Sequence, residues 1–354
     1  MPLNKISGFS KTLINWYLSS KRDLPWRLNN DSYRIWISEI MLQQTRVDAV
    51  IVYYENWMKK WPTLLKLSKA TEDDVLNAWK GLGYYSRARN ILKTAQIVVK
   101  ENSGKLPEDI ISLNKLPGIG RYTAGAIASI AYGKQEAIVD GNVSRVYARL
   151  LALEEVINDP KQQDFYYDIA TSQLPGKQLS EFNQGLMELG ALICTPQKPN
   201  CIECPVKKKC LAYKEDLVDK LPNRKKAAKS TKLVRLGLII KKNKKFLLIK
   251  QNKKGLFYGL WEIPAIALKK EEFNEKTIAD TISNELKLVG EIENKIYEVK
   301  HTFTKYRETI LVYSFTPEKI PLKWQKSFFS LNEINDLPMG SAHKKIFNYM
   351  RKRK

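Results

Sequence analysis

The sequence predicts a two-domain chain: an all-α domain at residues 1–218, a basic linker at 219–231, and an α+β domain at 232–354. Three observations predict it. Up to Cys210, apolar residues recur at helical spacing and no convincing strand pair interrupts them. From Val234 the period switches to two. Between the two patterns, Val206 to Lys245 carries 15 Lys/Arg against 3 Asp/Glu, and Pro222, Lys225, Lys226, Ala227, Ala228 and Lys229 mark the break. At 354 residues the chain is long enough to bury two cores.

Composition narrows the class. The net charge is +23, which favours a polyanionic partner because basic groups release counterions from a phosphate backbone. No window of 18 apolar residues exists, so no membrane span is expected. Met1-Pro2-Leu3-Asn4-Lys5 has no signal-peptide core, so a cytoplasmic location is expected. His301 and His343 are the only histidines, too few for a histidine-based metal site or triad.

The helices follow in order. Phe9 to Leu18 is the first, stopping before Asp23-Leu24-Pro25-Trp26-Arg27, where Pro25 disfavours a helical Leu24. Asp31 or Ser32 caps the second, whose Tyr33, Trp36, Ile37, Ile40 and Met41 form a core-facing stripe. Glu39 and Gln43 lie one turn apart on a different face. Val47 to Trp57 and Thr71 to Trp79 are helical, the latter capped by Thr71 with Asp73-Asp74 in its first turn. A glycine-broken aromatic loop, Gly81-Leu82-Gly83-Tyr84-Tyr85, precedes a helix from Ser86 to Val99. In the second domain, Val234–Leu238 and Phe246–Ile249 are expected to pair as a hairpin around the turn Lys241–Lys245. A helix is expected at Lys276 to Leu288, with Ile278, Ile282 and Leu286 on one face. Two more strands should surround Glu298 to Phe315, and Arg351-Lys352-Arg353-Lys354 is expected to fray.

Three constellations carry chemistry. Leu116-Pro117-Gly118-Ile119-Gly120 is a tight Gly-x-Gly turn that opens a small-residue helix. Glycines let backbone N–H groups approach a phosphate, and the helix N-terminus adds partial positive charge. Asp140, in Val139-Asp140-Gly141-Asn142, precedes a helix from Asn142 to Leu153. It can cap that helix, which favours its ionised form, and an ionised carboxylate beside a sugar carbon stabilises an oxocarbenium-like transition state or attacks it. Glu39 is either a solvated helix-face residue or, in a pocket among Trp36 and Ile40, an acid whose pKa is raised by desolvation. Finally, Cys194, Cys201, Cys204 and Cys210 give C-x6-C-x2-C-x5-C. Four thiolates can hold a [4Fe–4S] cluster or zinc, but zinc ribbons pair two short C-x2-C knuckles and only one short spacing exists here.

The cysteine spacing resembles the iron–sulfur loop of the endonuclease III family. Trp36-Ile37-Ser38-Glu39-Ile40-Met41-Leu42-Gln43-Gln44-Thr45, the loop Gly81 to Arg87, the stretch Leu116 to Ile127 and Val139-Asp140-Gly141-Asn142 resemble MutY-type adenine DNA glycosylases, and the resemblance spans essentially the whole chain. It implies an all-α helix-hairpin-helix glycosylase domain (motif at 116–127) with a [4Fe–4S] loop (194–210) and an α+β Nudix-like C-terminal domain. The implied function is monofunctional base excision repair, removing adenine mispaired with 8-oxoguanine or G in double-stranded DNA, by a monomer. Glu39 would protonate adenine N7, Asp140 would stabilise or capture the sugar cation, and Asn142 would position groups near it. Tyr122 holds the place of the Schiff-base lysine of bifunctional relatives, and a phenol cannot form an imine. Gln44 and Tyr84 would wedge into the duplex, with Thr45 and Leu82 assisting, while Gly118 and Gly120 hold the backbone. Trp26, Arg27 and Gln184 match adenine-pocket positions. Phe303, Thr304 and Lys305 stand where the family's lesion-reading loop has Phe-Ser-His, so a point charge replaces a planar ring at the last. No Nudix box of glycine, paired glutamates and arginine is present, so pyrophosphate hydrolysis is not expected. Two other readings remain: an endonuclease III-like pyrimidine-lesion glycosylase/lyase, and a non-catalytic structure-specific DNA-binding protein.

Overall fold

The computed structural model describes residues 5–225, 229–253, 255–268 and 275–352. Met1–Asn4, the linker residues Lys226, Ala227 and Ala228, and the tail residues Arg353 and Lys354 lie outside the described residues. The chain folds into two compact units. One comprises Met1–Ala70 and Arg89–Lys226, the other Thr71–Ala88 and Ala227–Lys354. The second unit therefore takes a segment, Thr71–Ala88, that the sequence pattern assigns to the first domain. Polar contacts tie it there. Lys250 Nζ reaches Asp73 at 3.0 Å, the Tyr85 hydroxyl donates to the Met339 carbonyl at 3.2 Å, and Lys80 donates to the Asn335 carbonyl.

The first unit is helical. The helix Ser32–Leu42 starts where Asp31 accepts a hydrogen bond from Arg34 N at 2.8 Å. It is buried on nearly every side, from Tyr33 to Met41, so Glu39 faces the interior and not water. The reason is a packing partner on several sides: Val47–Lys60, Arg121–Ala126 and the π-helical turn Ile127–Ala131. A second core gathers Phe9, Leu13, Val143, Val146, Tyr147, Phe182 and Leu189 from the helices Phe9–Ser20, Gly141–Leu150 and Leu179–Leu192.

Residues 219–225, though mostly exposed, are tied to the first unit. Leu221 is buried, and its carbonyl accepts from Arg149 Nε at 2.9 Å. The Asn223 carbonyl accepts from Ile157 N, and Lys225 pairs with Asp159 at 2.7 Å. The basic charge anchors the segment to the first unit.

The second unit is α+β. Its main sheet runs Ala265–Leu268, Thr231–Ile239, Tyr306–Pro317, Gly290–Phe303, with Thr231–Ile239 parallel to Tyr306–Pro317 and the other pairs antiparallel. The expected hairpin between Val234–Leu238 and Phe246–Ile249 does not form. Both edges of Thr231–Ile239 are taken by other strands, so the lysine turn pairs only Lys241-Lys242 with Lys245-Phe246. The helix expected to Leu288 runs Glu275–Thr281 and finishes as a π-turn, Ile282–Leu286. Arg351 is not frayed. It sits in the helix Ser341–Lys352 and donates to the Leu331 carbonyl at 2.9 Å. Gly290–Phe303 and Tyr306–Pro317 form a long hairpin whose tip is Thr304-Lys305, with Thr304 at φ 45°.

Candidate active site and cysteine loop

An open cavity of about 550 Å³ lies within the first unit. Glu39, Tyr122, Asp140, Asn142, Trp26, Arg27, Gln184, Gln44 and Thr45 all line it. Trp36 and Ile40 do not; both are buried, and the hydrogen-bond partner of Glu39 in the cavity is Tyr122.

Glu39 is 5% exposed, and the Tyr122 hydroxyl is 2.6 Å from its Oε2. Burial raises its pKa to about 7, the Asp140 charge adding and the Tyr122 hydrogen bond opposing. Burial also pushes the Tyr122 phenol well above its usual range, helped by the two carboxylates. Asp140 caps the helix Gly141–Leu150, accepting from Val143 N at 2.7 Å, Asn142 N at 2.9 Å and Asn142 Nδ2 at 3.0 Å. Burial pushes its pKa up; the three hydrogen bonds and Arg145 oppose that rise. The cap restrains Asp140 without making it an unusually strong acid.

Composition alone did not flag the cavity's ionic wall. Glu188 receives Arg22 (Nε to Oε1 2.8 Å, Nη2 to Oε2 2.7 Å) and Arg27 (Nη1 to Oε1 3.1 Å, Nη2 to Oε2 2.9 Å). Burial would raise its pKa, but the two guanidiniums outweigh that and hold it at about 2. The available signal was Glu188 one turn beyond Gln184 on the helix Leu179–Leu192. Trp26 packs edge-on against Tyr54 at 5.3 Å, giving the cavity an aromatic wall.

The other expected residues are distributed as follows. The Gly118 turn follows the short helix Ile110–Asn114 and precedes Arg121–Ala126. Gly118 has φ +78°, and a Cβ there would lie 2.7 Å from Asn90 Cβ, so glycine is required. Gly120 caps the following helix on an open side. Gln44 (φ 58°) and Tyr84 (φ 48°) are both exposed in the left-handed region, Gln44 in the first unit and Tyr84 in the second. Leu82 is buried, so it braces the Tyr84 loop and does not itself project outward. In the second unit, Thr304 and Lys305 are exposed, while Phe303 is half-buried against Phe257 at 5.0 Å.

Cys194, Cys201, Cys204 and Cys210 are free thiols lining one small cavity with Arg149 and Tyr213. Burial pushes Cys204 up to about 11 and also raises Cys201 and Cys210, their mutual proximity adding to each. Thiols in this state need a cationic partner to be held as thiolates. Among the described residues, no three His, Cys, Asp or Glu side chains converge to hold one metal ion. Four cysteines on one cavity supply the donor type that thiolate-bound metal groups use. Two buried arginines join this loop to the carboxylate helix. Arg145 donates to Asn142 Oδ1 at 2.9 Å and to the carbonyls of Cys194 and Gly190 at 2.8 Å each. Arg149 donates to Cys194 Sγ at 3.4 Å and to the Thr195 carbonyl at 2.7 Å. Their sequence signal was a pair of arginines four apart on a helix of otherwise apolar inward positions.

Two family models match the chain: "HhH-GPD superfamily base excision DNA repair protein" over residues 37–165 and "NUDIX domain" over 235–349. The adenine DNA glycosylase of Rattus norvegicus is 33% identical across 97% of this chain and 78% of that protein. The chain belongs to the adenine DNA glycosylase family. The enzyme of Buchnera aphidicola subsp. Schizaphis graminum is 36% identical, covering 91% of this chain and 88% of its own length. A solved thermostable thymine-DNA glycosylase is 31% identical with a TM-score of 0.54, covering 95% of that protein but only 58% of this chain. The match to adenine enzymes thus extends through the α+β unit, which the thymine enzyme's coverage does not accommodate. The protein is a hydrolase of N-glycosyl bonds that acts on adenine in DNA, in base excision repair. Among the described residues no helix is long and apolar enough to cross a membrane.

Proposed function

We propose that Glu39 is the general acid and Asp140 the transition-state stabiliser of a monofunctional glycosylase that removes adenine paired with 8-oxoguanine or G. The supporting observation is one cavity in which Glu39 and Asp140 sit in different surroundings, beside a Glu188 already paired with two arginines. Glu39, buried and with its pKa raised to about 7, is protonated in about half of the molecules at neutral pH and can deliver that proton to adenine N7. Asp140, fixed by three hydrogen bonds, faces the sugar where positive charge develops as the glycosidic bond breaks. Asn142 orients Asp140, and Tyr122 fixes the carboxyl of Glu39. Trp26, Arg27 and Gln184, with the Arg22–Glu188 pair, bound the extruded adenine. Tyr122 offers no amine, so base release leaves an intact strand.

Gly118 and Gly120 present backbone N–H groups to a DNA phosphate. Gln44 and Tyr84 enter the duplex, with Thr45 and Leu82 in support, and Phe303, Thr304 and Lys305 read the base opposite adenine. Cys194, Cys201, Cys204 and Cys210 would hold a [4Fe–4S] cluster, which supplies a rigid cross-link to the loop. The enzyme acts as a monomer on duplex DNA.

Incubation with duplexes carrying A opposite 8-oxoguanine, A opposite G, or thymine glycol tests the reading. Adenine release with strand scission only after alkali is expected. Direct nicking of the thymine glycol duplex would overturn it in favour of a glycosylase/lyase, and tight binding without turnover would favour a binding protein. The purified enzyme should be yellow-brown; a colourless protein with stoichiometric zinc contradicts the cluster.

A further inference from the structure

The chain has two histidines, and both fall in one buried ionic network of the second unit. His343 Nδ1 accepts from Ile263 N at 3.4 Å, and its Nε2 faces Glu262 at 3.3 Å. Glu262 pairs with Arg235 at 3.2 Å, and Arg235 reaches Glu308 at 3.6 Å. Glu308 lies directly across the long hairpin from His301, with His301 Nδ1 at 3.9 Å from its carboxylate. The other ring nitrogen, Nε2, is 2.8 Å from Ser341 Oγ.

The network ends at the hairpin tip. The His301 ring lies 5.3 Å from Phe303 at 30°, and Phe303 also meets Phe257 and Tyr306 at 5.0 and 5.5 Å. His301 is the wall between two cavities. On one side is the small ionic cavity with Arg235, Glu262 and Glu308. On the other is an open groove of about 320 Å³, lined by Phe303, Thr304, Ser341, Lys344 and the Gly81–Tyr85 loop. That volume is of the order a small planar ligand needs, about 300 Å³.

We propose that His301 is a positioning residue that sets Phe303 for discrimination between 8-oxoguanine and guanine, held in register by Ser341 and Glu308. The inference rests on the reading above that the 303–305 tip contacts the base opposite adenine. Electrostatics fix the ring's orientation. A lone pair at Nδ1 would face the Glu308 carboxylate, so Nδ1 carries the proton and Nε2 accepts from the Ser341 hydroxyl. The ring is tethered at Nε2 by Ser341, its buried Nδ1 lies in the field of the Glu308 carboxylate without a hydrogen bond, and the ring packs beside Phe303. A leucine would fill similar space without the Ser341 tether or the attraction to Glu308.

The test measures excision from full-length enzyme on A:8-oxoguanine and A:G duplexes and takes the ratio of the two. His301→Leu should lower the ratio about three- to tenfold, the size of one ring–ring contact. Ser341→Ala should lower it in the same direction, and His301→Gln, which keeps a polar group toward Ser341, should restore most of it. A general packing defect would slow both duplexes together and leave the ratio unmoved. If His301→Leu is poorly folded by thermal unfolding, Ser341→Ala carries the test. Phe303→Ala separates the two levels. If it leaves the ratio intact, the tip does not read the lesion. If it lowers the ratio while His301→Leu and Ser341→Ala do not, His301 has no positioning role.

Discussion

Glu39 and Asp140 differ in what surrounds them more than in their chemistry. Glu39 is deeply buried with one hydrogen bond; Asp140 has three hydrogen bonds and a helix N-terminus. The pH dependence follows. With Glu39 as the acid proposed above, the excision rate should fall about tenfold per unit as pH rises beyond about 7, read from single-turnover kinetics. The same group makes stability pH-dependent. Its folded pKa is raised from 4.5 to about 7, so the native state binds the extra proton between those values. Stability is fully present below the unfolded pKa and is lost as pH rises through the folded one. Glu39→Gln removes the titration. It should abolish turnover yet raise stability at pH 8 by up to about 3 kcal/mol, measured by denaturant unfolding at pH 5 and pH 8. No gain at pH 8 over pH 5 would mean that Glu39 titrates normally.

Elements decide how those residues are held. The helix Gly141–Leu150 carries the Asp140 cap at one end and Arg145 and Arg149 along its buried side. Gly190 lets this helix come close, since a Cβ there would lie 2.8 Å from Asn142 Cβ. Arg145 joins Asn142 to the Cys194 carbonyl, so Arg145→Gln should leave buried carbonyls unpaired and cost about 3 kcal/mol. Excision and the visible absorbance of the purified protein should fall together; loss of one without the other would mean the loop and the cavity are independent. At the Gly118 turn, Thr94 Oγ1 donates to the Pro117 carbonyl at 2.8 Å and pins the loop against its neighbouring helix. Gly118→Ala meets both a positive φ and Asn90, so a cost of about 1–2 kcal/mol is expected. DNA binding should weaken for matched and mismatched duplexes alike, because the turn reads no bases.

Across the whole molecule, the net charge of +23 suits a polyanionic substrate, but folding spends part of the basic excess internally. Arg22, Arg27, Arg145, Arg149 and Arg235 all make buried or half-buried contacts to carboxylates or carbonyls. The segment Thr71–Ala88 belongs to the second unit despite its place in the sequence. A chain cut after Lys225 would leave Asp73, Lys80 and Tyr85 without their partners Lys250, Asn335 and Met339. Its unfolding midpoint should drop and protease should cut first within 71–88; an unchanged midpoint would show that the segment is held without the second unit.

Local pattern was sufficient for the helix starts at Thr71 and Asp140 and narrowed another to Asp31 or Ser32, because capping chemistry is carried by one side chain and the next few N–H groups. It was likewise sufficient for the change from helix to strand near Val234 and for the four-cysteine loop. Three features were beyond it. Glu39 reads as a residue off the core stripe, and only packing on several sides of its helix buries it and moves its pKa. The basic run after Val218 reads as a linker, and only Asp159 and the Leu221 carbonyl's partner Arg149 make residues 219–225 part of the first unit. The strand partner of Val234–Leu238 was misplaced, because both its edges are claimed from far along the chain. By itself the sequence determined which chemical groups this enzyme has and the order in which they come. Which of them lose water and share a cavity was decided by tertiary structure alone, because burial and charge proximity depend on neighbours that sequence distance does not encode.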